Sequence, residues 1–63
     1  MRISLRAARV NKDFTQDFVA EKLGVNKKTV SSWEAQKTMP PADKINLLCD
    51  LYEVSYDNIR WRG

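Results

Sequence analysis

The sequence contains no histidine, and Cys49 is its only cysteine among 63 residues. A single cysteine cannot form an internal disulfide, and without histidine the usual ligand set of a structural zinc site is incomplete. The chain also offers no pairing of a nucleophile with a base and no glycine-rich phosphate loop. We therefore expect no enzyme, metal, cofactor or small-molecule ligand, and we interpret Cys49 as a buried, unreactive thiol.

Long apolar stretches are lacking as well. No apolar run approaches the length that spans a bilayer, and the first residues do not resemble a signal peptide. The length allows one domain, residues 1–63, which buries a limited fraction of its surface and has modest stability. We expect a cytoplasmic protein for which Met1 is a natural start, and a natural continuation beyond Gly63 stays open.

The net charge is only +3, but its distribution along the chain is uneven. Residues 1–12 carry four basic side chains and no acidic one, and residues 27–37 carry three basic side chains against Glu34 alone. Residues 43–57 reverse the sign, with four acidic side chains against Lys44. One basic side and one acidic side suit an oriented approach to a polyanion.

Two short helices joined by a tight turn are predicted for residues of about 16–35. Thr15 is a suitable N-cap for the first helix, which begins at Gln16. Its apolar residues recur at helical spacing, at Val19, Ala20 and Leu23. Gly24 follows directly, where a left-handed residue that ends a helix favours glycine.

The second helix presents an unusual outward face. Asn26 caps this helix, and Val30 and Trp33 mark its buried side. At about 100° per residue, the opposite side carries two cations, two hydroxyls and a methyl group, with no acidic residue between them: Lys27, Lys28, Ser31, Ser32 and Ala35. Small side chains allow a helix to enter a groove, and lysines near its N-terminus suit phosphates or guanine edges.

This pattern resembles the helix-turn-helix family of the phage repressor and Cro type, the XRE family. The matching residues are Gln16, Ala20, Leu23, Gly24, Val30, Trp33 and Glu34. The resemblance continues from Leu5 to Ile59, and the run VSYDNI resembles the closing segment of such domains. It implies an all-α fold, a compact, lambda-repressor-like bundle of five short helices. The alternative is an ordinary helical hairpin with a solvated polar face.

The resemblance also implies a function. It is that of a sequence-specific regulator of transcription that binds double-stranded DNA and represses, as a repressor or Cro-like protein, by occupying an operator. The second motif helix would enter the major groove while the first lies across the backbone. The residues expected at the DNA are Thr15, Gln16, Asn26, Lys27, Lys28, Ser31, Ser32, Lys37 and Thr38.

The remaining helices follow from capping residues and apolar spacing. Ser4 is predicted to cap a first helix from Leu5 to about Lys12. A fourth helix is predicted over about 42–52, with a core stripe at Ile45, Leu48, Cys49 and Tyr52. Ser55 is predicted to cap a fifth helix over 56–60.

Arg9 lies on the apolar face of the predicted first helix. A buried arginine needs a carboxylate, and we expect Glu34 to provide it, as the resemblance also implies. The alternative leaves the Arg9 guanidinium in water. Two positions are also possible for Phe18, which can pack on Phe14 or form a surface patch.

A dimer would have to use the surface of this one domain. The candidates are Leu47 and Leu51, which form a second apolar stripe, and Trp61, which we expect to be exposed. Trp61 would contact a second subunit or lie as a flap on its own domain. We expect a weak homodimer, or a dimer that forms on a near-palindromic operator.

A second class of function uses the same fold. An antitoxin or adaptor would bind another protein through the acidic side that carries the leucines. A stable complex with that protein on purification would distinguish it from a DNA-binding regulator.

Overall fold

Four α-helices and one pair of short parallel strands form the fold, which a computed structural model describes for residues 2–61. In chain order the elements are β1 (Ile3–Ser4), α1 (Leu5–Asn11), α2 (Gln16–Leu23), α3 (Lys27–Glu34), α4 (Ala42–Tyr52), a 3₁₀ turn (Tyr56–Asn58) and β2 (Ile59–Arg60). Within residues 2–61, no helix combines the length and the apolar character that crossing a bilayer requires.

The predicted helix caps at Ser4, Thr15 and Asn26 are confirmed, whereas the Ser55 side chain makes no capping hydrogen bond. Ser4 Oγ accepts a hydrogen bond from the Ala7 amide at 3.0 Å, and Thr15 Oγ1 accepts one from the Phe18 amide at 3.0 Å. Each bond satisfies one of the amide groups that have no partner within their own helix. Gly24 ends α2 in the left-handed conformation, with φ 69°. The starts of α1 and α2 and the turn that ends α2 are therefore fixed by local sequence.

The fifth helix was predicted wrongly. After Ser55 the chain makes one 3₁₀ turn and then extends as β2, in which Ile59 pairs with Ile3 and Arg60 pairs with Ser4. A helix of about five residues gains too few hydrogen bonds to offset its nucleation. Extended backbone instead pairs with the N-terminal strand and buries the Ile59 side chain.

The core lies where the four helices meet. Among residues 2–61, ten hydrophobic side chains form this buried core: Leu5, Ala8, Val19, Ala20, Leu23, Val30, Trp33, Leu48, Tyr52 and Ile59. The predicted core stripe of α4 is narrower than expected, because Ile45 and Cys49 are only half-buried. Burial raises the pKa of the Tyr52 hydroxyl above its ordinary value, with a further contribution from the nearby carboxylate of Glu34.

Phe18 packs on Phe14, with 4.7 Å between the ring centroids. Phe14 also lies 6.3 Å from the Tyr52 ring, so a row of aromatic rings joins the start of α2 to α4. Lys22 extends over the exposed side of the Phe18 ring, 5.4 Å from its centroid. The ammonium group and the ring therefore form a cation–π contact.

Arg9 and Glu34 form an ion pair that links α1 to the end of α3. Arg9 Nε lies 2.6 Å from Glu34 Oε2, and Nη2 donates to Oε1 at 3.3 Å. Arg9 Nη1 donates to the carbonyl oxygen of Phe14 at 2.7 Å. The two side chains are only 11% and 4% exposed, so the pair is largely removed from water. The hydrogen bond to Glu34 raises the pKa of Arg9 above its ordinary value.

A second cation stabilises the end of a helix. Lys44 Nζ donates to the carbonyl oxygen of Leu23 at 2.9 Å, which ties α4 to the last turn of α2. The last carbonyls of a helix have no partner within it and carry partial negative charge, so a lysine there is favourable. This contact could not be predicted from the sequence, because Leu23 and Lys44 are far apart in the chain and only the tertiary fold brings them together.

Trp61 folds back on its own chain, and the prediction that it is exposed is wrong. Its indole Nε1 donates to the carbonyl oxygen of Tyr56 at 3.0 Å, and its ring stacks on Tyr56 with centroids 5.5 Å apart. The side chain is half-buried and packs against the core. This is the flap arrangement that the sequence analysis considered as the alternative to a contact with a second subunit.

We predict that Arg9→Ala and Glu34→Ala each lower the free energy of unfolding by about 3–5 kcal/mol, because each leaves a buried charge without its partner. A domain of this size has little stability beyond that, so both variants should be largely unfolded at 25 °C. Urea denaturation followed by circular dichroism measures the change.

The matched control is Lys12→Ala. Lys12 Nζ also forms an ion pair, with Glu53 Oε2 at 2.7 Å, but the two side chains are 33% and 74% exposed. Breaking an exposed pair costs less than about 1 kcal/mol. Equal losses for Arg9→Ala and Lys12→Ala would contradict the special importance of the buried pair.

For Trp61→Ala we expect a loss of about 1–3 kcal/mol, since the change removes both the stacking on Tyr56 and one hydrogen bond. Trp61→Phe keeps a stacked ring and should lose less. Unfolding curves of both variants that superimpose on that of the parent protein would mean that the flap contributes nothing to stability.

Candidate nucleic-acid interface

The outward face of α3 is the feature on which the candidate interface is built. Val30 and Trp33 hold the inner face in the core, while Lys27, Lys28 and Ser31 are exposed. Ser32, which the sequence analysis placed with them, is half-buried. The first turn of α3 therefore presents two cations, and a hydroxyl follows one turn later on the same face.

Asn26 caps this helix, and its side-chain oxygen accepts two hydrogen bonds. Its Oδ1 accepts from the amide of Thr29 at 2.9 Å and from the Thr29 hydroxyl at 3.0 Å. Both donors hold the Asn26 amide in one orientation, and its NH₂ group is then available to a phosphate oxygen. Thr29 was missed as part of this arrangement, although its position three residues after a capping asparagine is a recognisable signal.

The two lysines differ in their surroundings. Lys27 Nζ lies 4.0 Å from Asp17 Oδ2, at the limit of an ion pair, and both side chains are well exposed. Lys28 has no ion-pair partner among residues 2–61. The sequence analysis found no acid within this face, and the tertiary structure adds Asp17 from α2 at its margin.

The start of α2 is tied to the end of α3 through one carboxylate. Gln16 Nε2 donates to Glu34 Oε1 at 2.9 Å, so the same carboxylate binds Arg9 and Gln16. A glutamine amide has two N–H donors, and this bond uses one of them. The other donor, together with the neighbouring exposed Thr15, lies at the N-terminus of α2, where an anion is favoured.

The loop after α3 carries the last two predicted contact residues, Lys37 and Thr38, and both are exposed. Gln36 is left-handed there, with φ 61°, a conformation that favours glycine. This turn lets the amide of Lys37 donate to the carbonyl oxygen of Ser32 at 3.0 Å. The eight residues of α3 make a helix roughly 12 Å long, with Lys28 in its first turn and Lys37 beyond its end.

The structure thus groups the predicted residues into three places rather than one patch. Thr15 and Gln16 stand at the start of α2, and Asn26, Lys27, Lys28, Ser31 and Ser32 lie on α3 or at its cap. Lys37 and Thr38 follow α3 at its other end. A rod-like polyanion is the kind of ligand that can meet an exposed helix face together with groups at both of its ends.

The dimer candidates on α4 lie elsewhere. Leu47 is 45% exposed, and Leu51 is half-buried against the core. Together with Lys22, Leu23 and Asp50 they line a shallow groove of about 290 Å³ between α2 and α4.

Comparison with known proteins agrees with this arrangement of helices. The model of the helix-turn-helix family matches residues 5–59. The chain is 40% identical over 55 residues to YobD of Bacillus subtilis (strain 168), an uncharacterized HTH-type transcriptional regulator. That similarity covers 87% of this chain and 49% of the relative, so the chain spans about half of the relative's length. No solved structure gives a significant match. Because the family match extends from α1 into β2, the chain belongs to the XRE-type helix-turn-helix family.

Proposed function

We propose that this chain is a sequence-specific regulator of transcription that binds double-stranded DNA, in the manner of a phage repressor or Cro, and acts by occupying an operator. The observation that carries the proposal is the exposed face of α3, where Lys27, Lys28 and Ser31 stand opposite the buried Val30 and Trp33. A helix that only completed a bundle would not need two adjacent exposed cations on a face of small side chains.

In this proposal α3 lies in the major groove, which is wide enough to admit a helix. Lys27, Lys28 and Ser32 face base edges, with Ser31 beside them. Lysine favours the O6 and N7 acceptors of guanine, whereas a serine hydroxyl can form hydrogen bonds with several different bases.

Phosphate contacts would fix the orientation of α3 in the groove. Gln16, Thr15 and the amide groups at the start of α2 contact one strand, and the Asn26 amide contacts a phosphate beside the entry of α3. Lys37 and Thr38 contact the backbone at the far end of α3. The Glu34 carboxylate, which binds both Arg9 and Gln16, holds the two helices of the motif at a fixed distance for these contacts.

A dimer on a near-palindromic operator completes the proposal, because one helix reads only a few base pairs. The contact would be small, which predicts a monomer or weak dimer in solution. Leu47 and Leu51 are the stronger candidates for it, since Trp61 already has partners within its own chain.

The groove beside these leucines also favours a second function, that of an antitoxin or adaptor that binds another protein. Leu47 is an exposed apolar side chain, with Asp50 one turn further along the same helix. A stable complex with another protein, together with no preference among DNA duplexes, would favour this alternative.

We expect Lys28→Ala and Ser32→Ala to change the sequence that the protein prefers, at about 1–3 kcal/mol of discrimination for each good base contact. Gln16→Ala should instead weaken binding to all duplexes about equally, because a phosphate contact carries no sequence information. Binding-site selection from random duplexes, followed by affinity measurement on selected and scrambled sequences, tests both expectations.

The matched control is Lys22→Ala, which removes an exposed lysine from α2 without touching α3. Because Gln16 also bonds to Glu34, thermal melts must show that Gln16→Ala is folded at the temperature of the assay. If Lys28→Ala bound every duplex as the parent protein does, the placement of α3 in the groove would be wrong.

For the dimer, Leu47→Glu should weaken binding to a two-half-site operator and leave binding to a single half-site unchanged. The physical reason is that a charge in an apolar contact between subunits must be desolvated without a partner. Val10→Glu is the control, because Val10 is 48% exposed on α1 and has no assigned role. Equal effects on full and half sites would exclude a subunit contact at Leu47.

A further inference from the structure

We propose that the paired ends of the chain form an additional phosphate-binding surface, in which Arg2 and Arg60 contact the DNA backbone beside the loop that follows α3. This inference rests on the proposed DNA-binding function and extends the interface beyond the helix-turn-helix motif. Arg2 and Arg60 are 58 positions apart in the sequence, and it is the strand pair that brings their segments together.

The strand pair determines where these arginines lie. Ile3 pairs with Ile59, and Ile59 is buried in the core. Arg60 is the next residue after Ile59, and successive side chains of a strand point to opposite faces, so Arg60 is directed away from the core. Arg2 precedes β1, and both arginines are exposed.

The loop after α3 lies against this strand pair. Gln36 Nε2 donates to the carbonyl oxygen of Arg60 at 3.5 Å, a long bond that nevertheless places β2 beside the loop. Arg2, which precedes β1, and Met39 of the loop line the same cleft of about 400 Å³, which Trp61 and Tyr56 also line. The loop residues Lys37 and Thr38 stand between these two points of contact in the sequence.

The two arginines differ from the cations that have a partner within residues 2–61. Arg9 binds Glu34, Lys12 binds Glu53, and Lys44 binds the end of α2. Lys27 lies 4.0 Å from Asp17. Arg2, Arg60 and Lys37 form no ion pair with any residue in the part of the chain that the structure describes.

Of the charged residues, Arg2 and Asp57 line the cleft itself, whereas Arg60 and Lys37 lie on the adjoining strand and loop. Two arginines and a lysine that form no ion pair among residues 2–61 favour a polyanion as the ligand, and arginine suits the two oxygens of a phosphate. Because the loop continues directly from α3, the nearest polyanion in the proposed complex is the backbone that borders the groove.

The test compares Arg2→Gln/Arg60→Gln with the parent protein on a duplex that carries one half-site, with affinity measured over a range of salt concentrations. Each phosphate contact contributes about 0.9 to the slope of log affinity against log salt. We expect the slope of the double variant to be smaller by about 2, on matched and scrambled duplexes alike. Its affinity relative to that of the parent should therefore fall by a further factor of about 100 for each tenfold reduction in salt.

Two further variants separate this role from net charge and from fold. Lys12→Gln/Lys22→Gln removes the same charge from side chains that lie outside the cleft, and its slope should stay close to that of the parent. Arg2→Lys/Arg60→Lys keeps both cations and should keep most of the slope. Thermal melts of the two arginine variants should agree with that of the parent, because Arg2 and Arg60 are exposed. Lys12→Gln/Lys22→Gln breaks the exposed pair with Glu53 and should melt slightly lower.

Three results would overturn the proposal. One is an unchanged slope for the Arg2→Gln/Arg60→Gln variant, and another is an equal loss in the Lys12→Gln/Lys22→Gln control. The third is a loss that appears on a two-half-site operator and not on the half-site, which would make the arginines contacts between two copies of the chain. A parent protein that binds no duplex would instead refute the proposed function itself, and this inference with it.

Discussion

The carboxylate of Glu34 is the point on which the arrangement of the first three helices depends. It stands at the end of α3 and binds Arg9 of α1 at 2.6 Å and Gln16 of α2 at 2.9 Å. Apolar packing alone is non-directional and leaves small rotations between helices inexpensive. Directed hydrogen bonds to a buried carboxylate remove that freedom, so the two helices of the motif keep one relative orientation.

The basic residues divide into two groups with different physical roles. Arg9 and Lys12 form ion pairs with carboxylates, and Lys44 binds the carbonyl end of a helix. Lys28 and Lys37 have no ion-pair partner among residues 2–61 and lie along or after α3. The net charge of +3 does not show this difference. Cations with a partner add little to the electrostatic field outside the molecule, whereas cations without one produce most of it.

The ends of the chain contribute more than the pattern of helices suggests. Pairing of Ile3 with Ile59 replaces the expected fifth helix and closes the core at its edge. The same pairing places Trp61 against Tyr56, so a residue that looked free in the sequence has a role in the fold. These two short strands thus cover apolar surface at the edge of the core, where the sequence pattern predicts a helix.

The sequence by itself determined the helix starts at Ser4, Thr15 and Asn26 and the turn at Gly24, because caps and left-handed turns depend on neighbouring residues. It also determined the inner and outer faces of α3, through helical periodicity. Tertiary structure decided what depends on distant partners: the strand pair, the contact of Lys44 with α2, the position of Trp61 and the bond from Gln16 to Glu34. Those contacts join residues far apart in the chain, and no local pattern encodes which distant group a flexible side chain will meet.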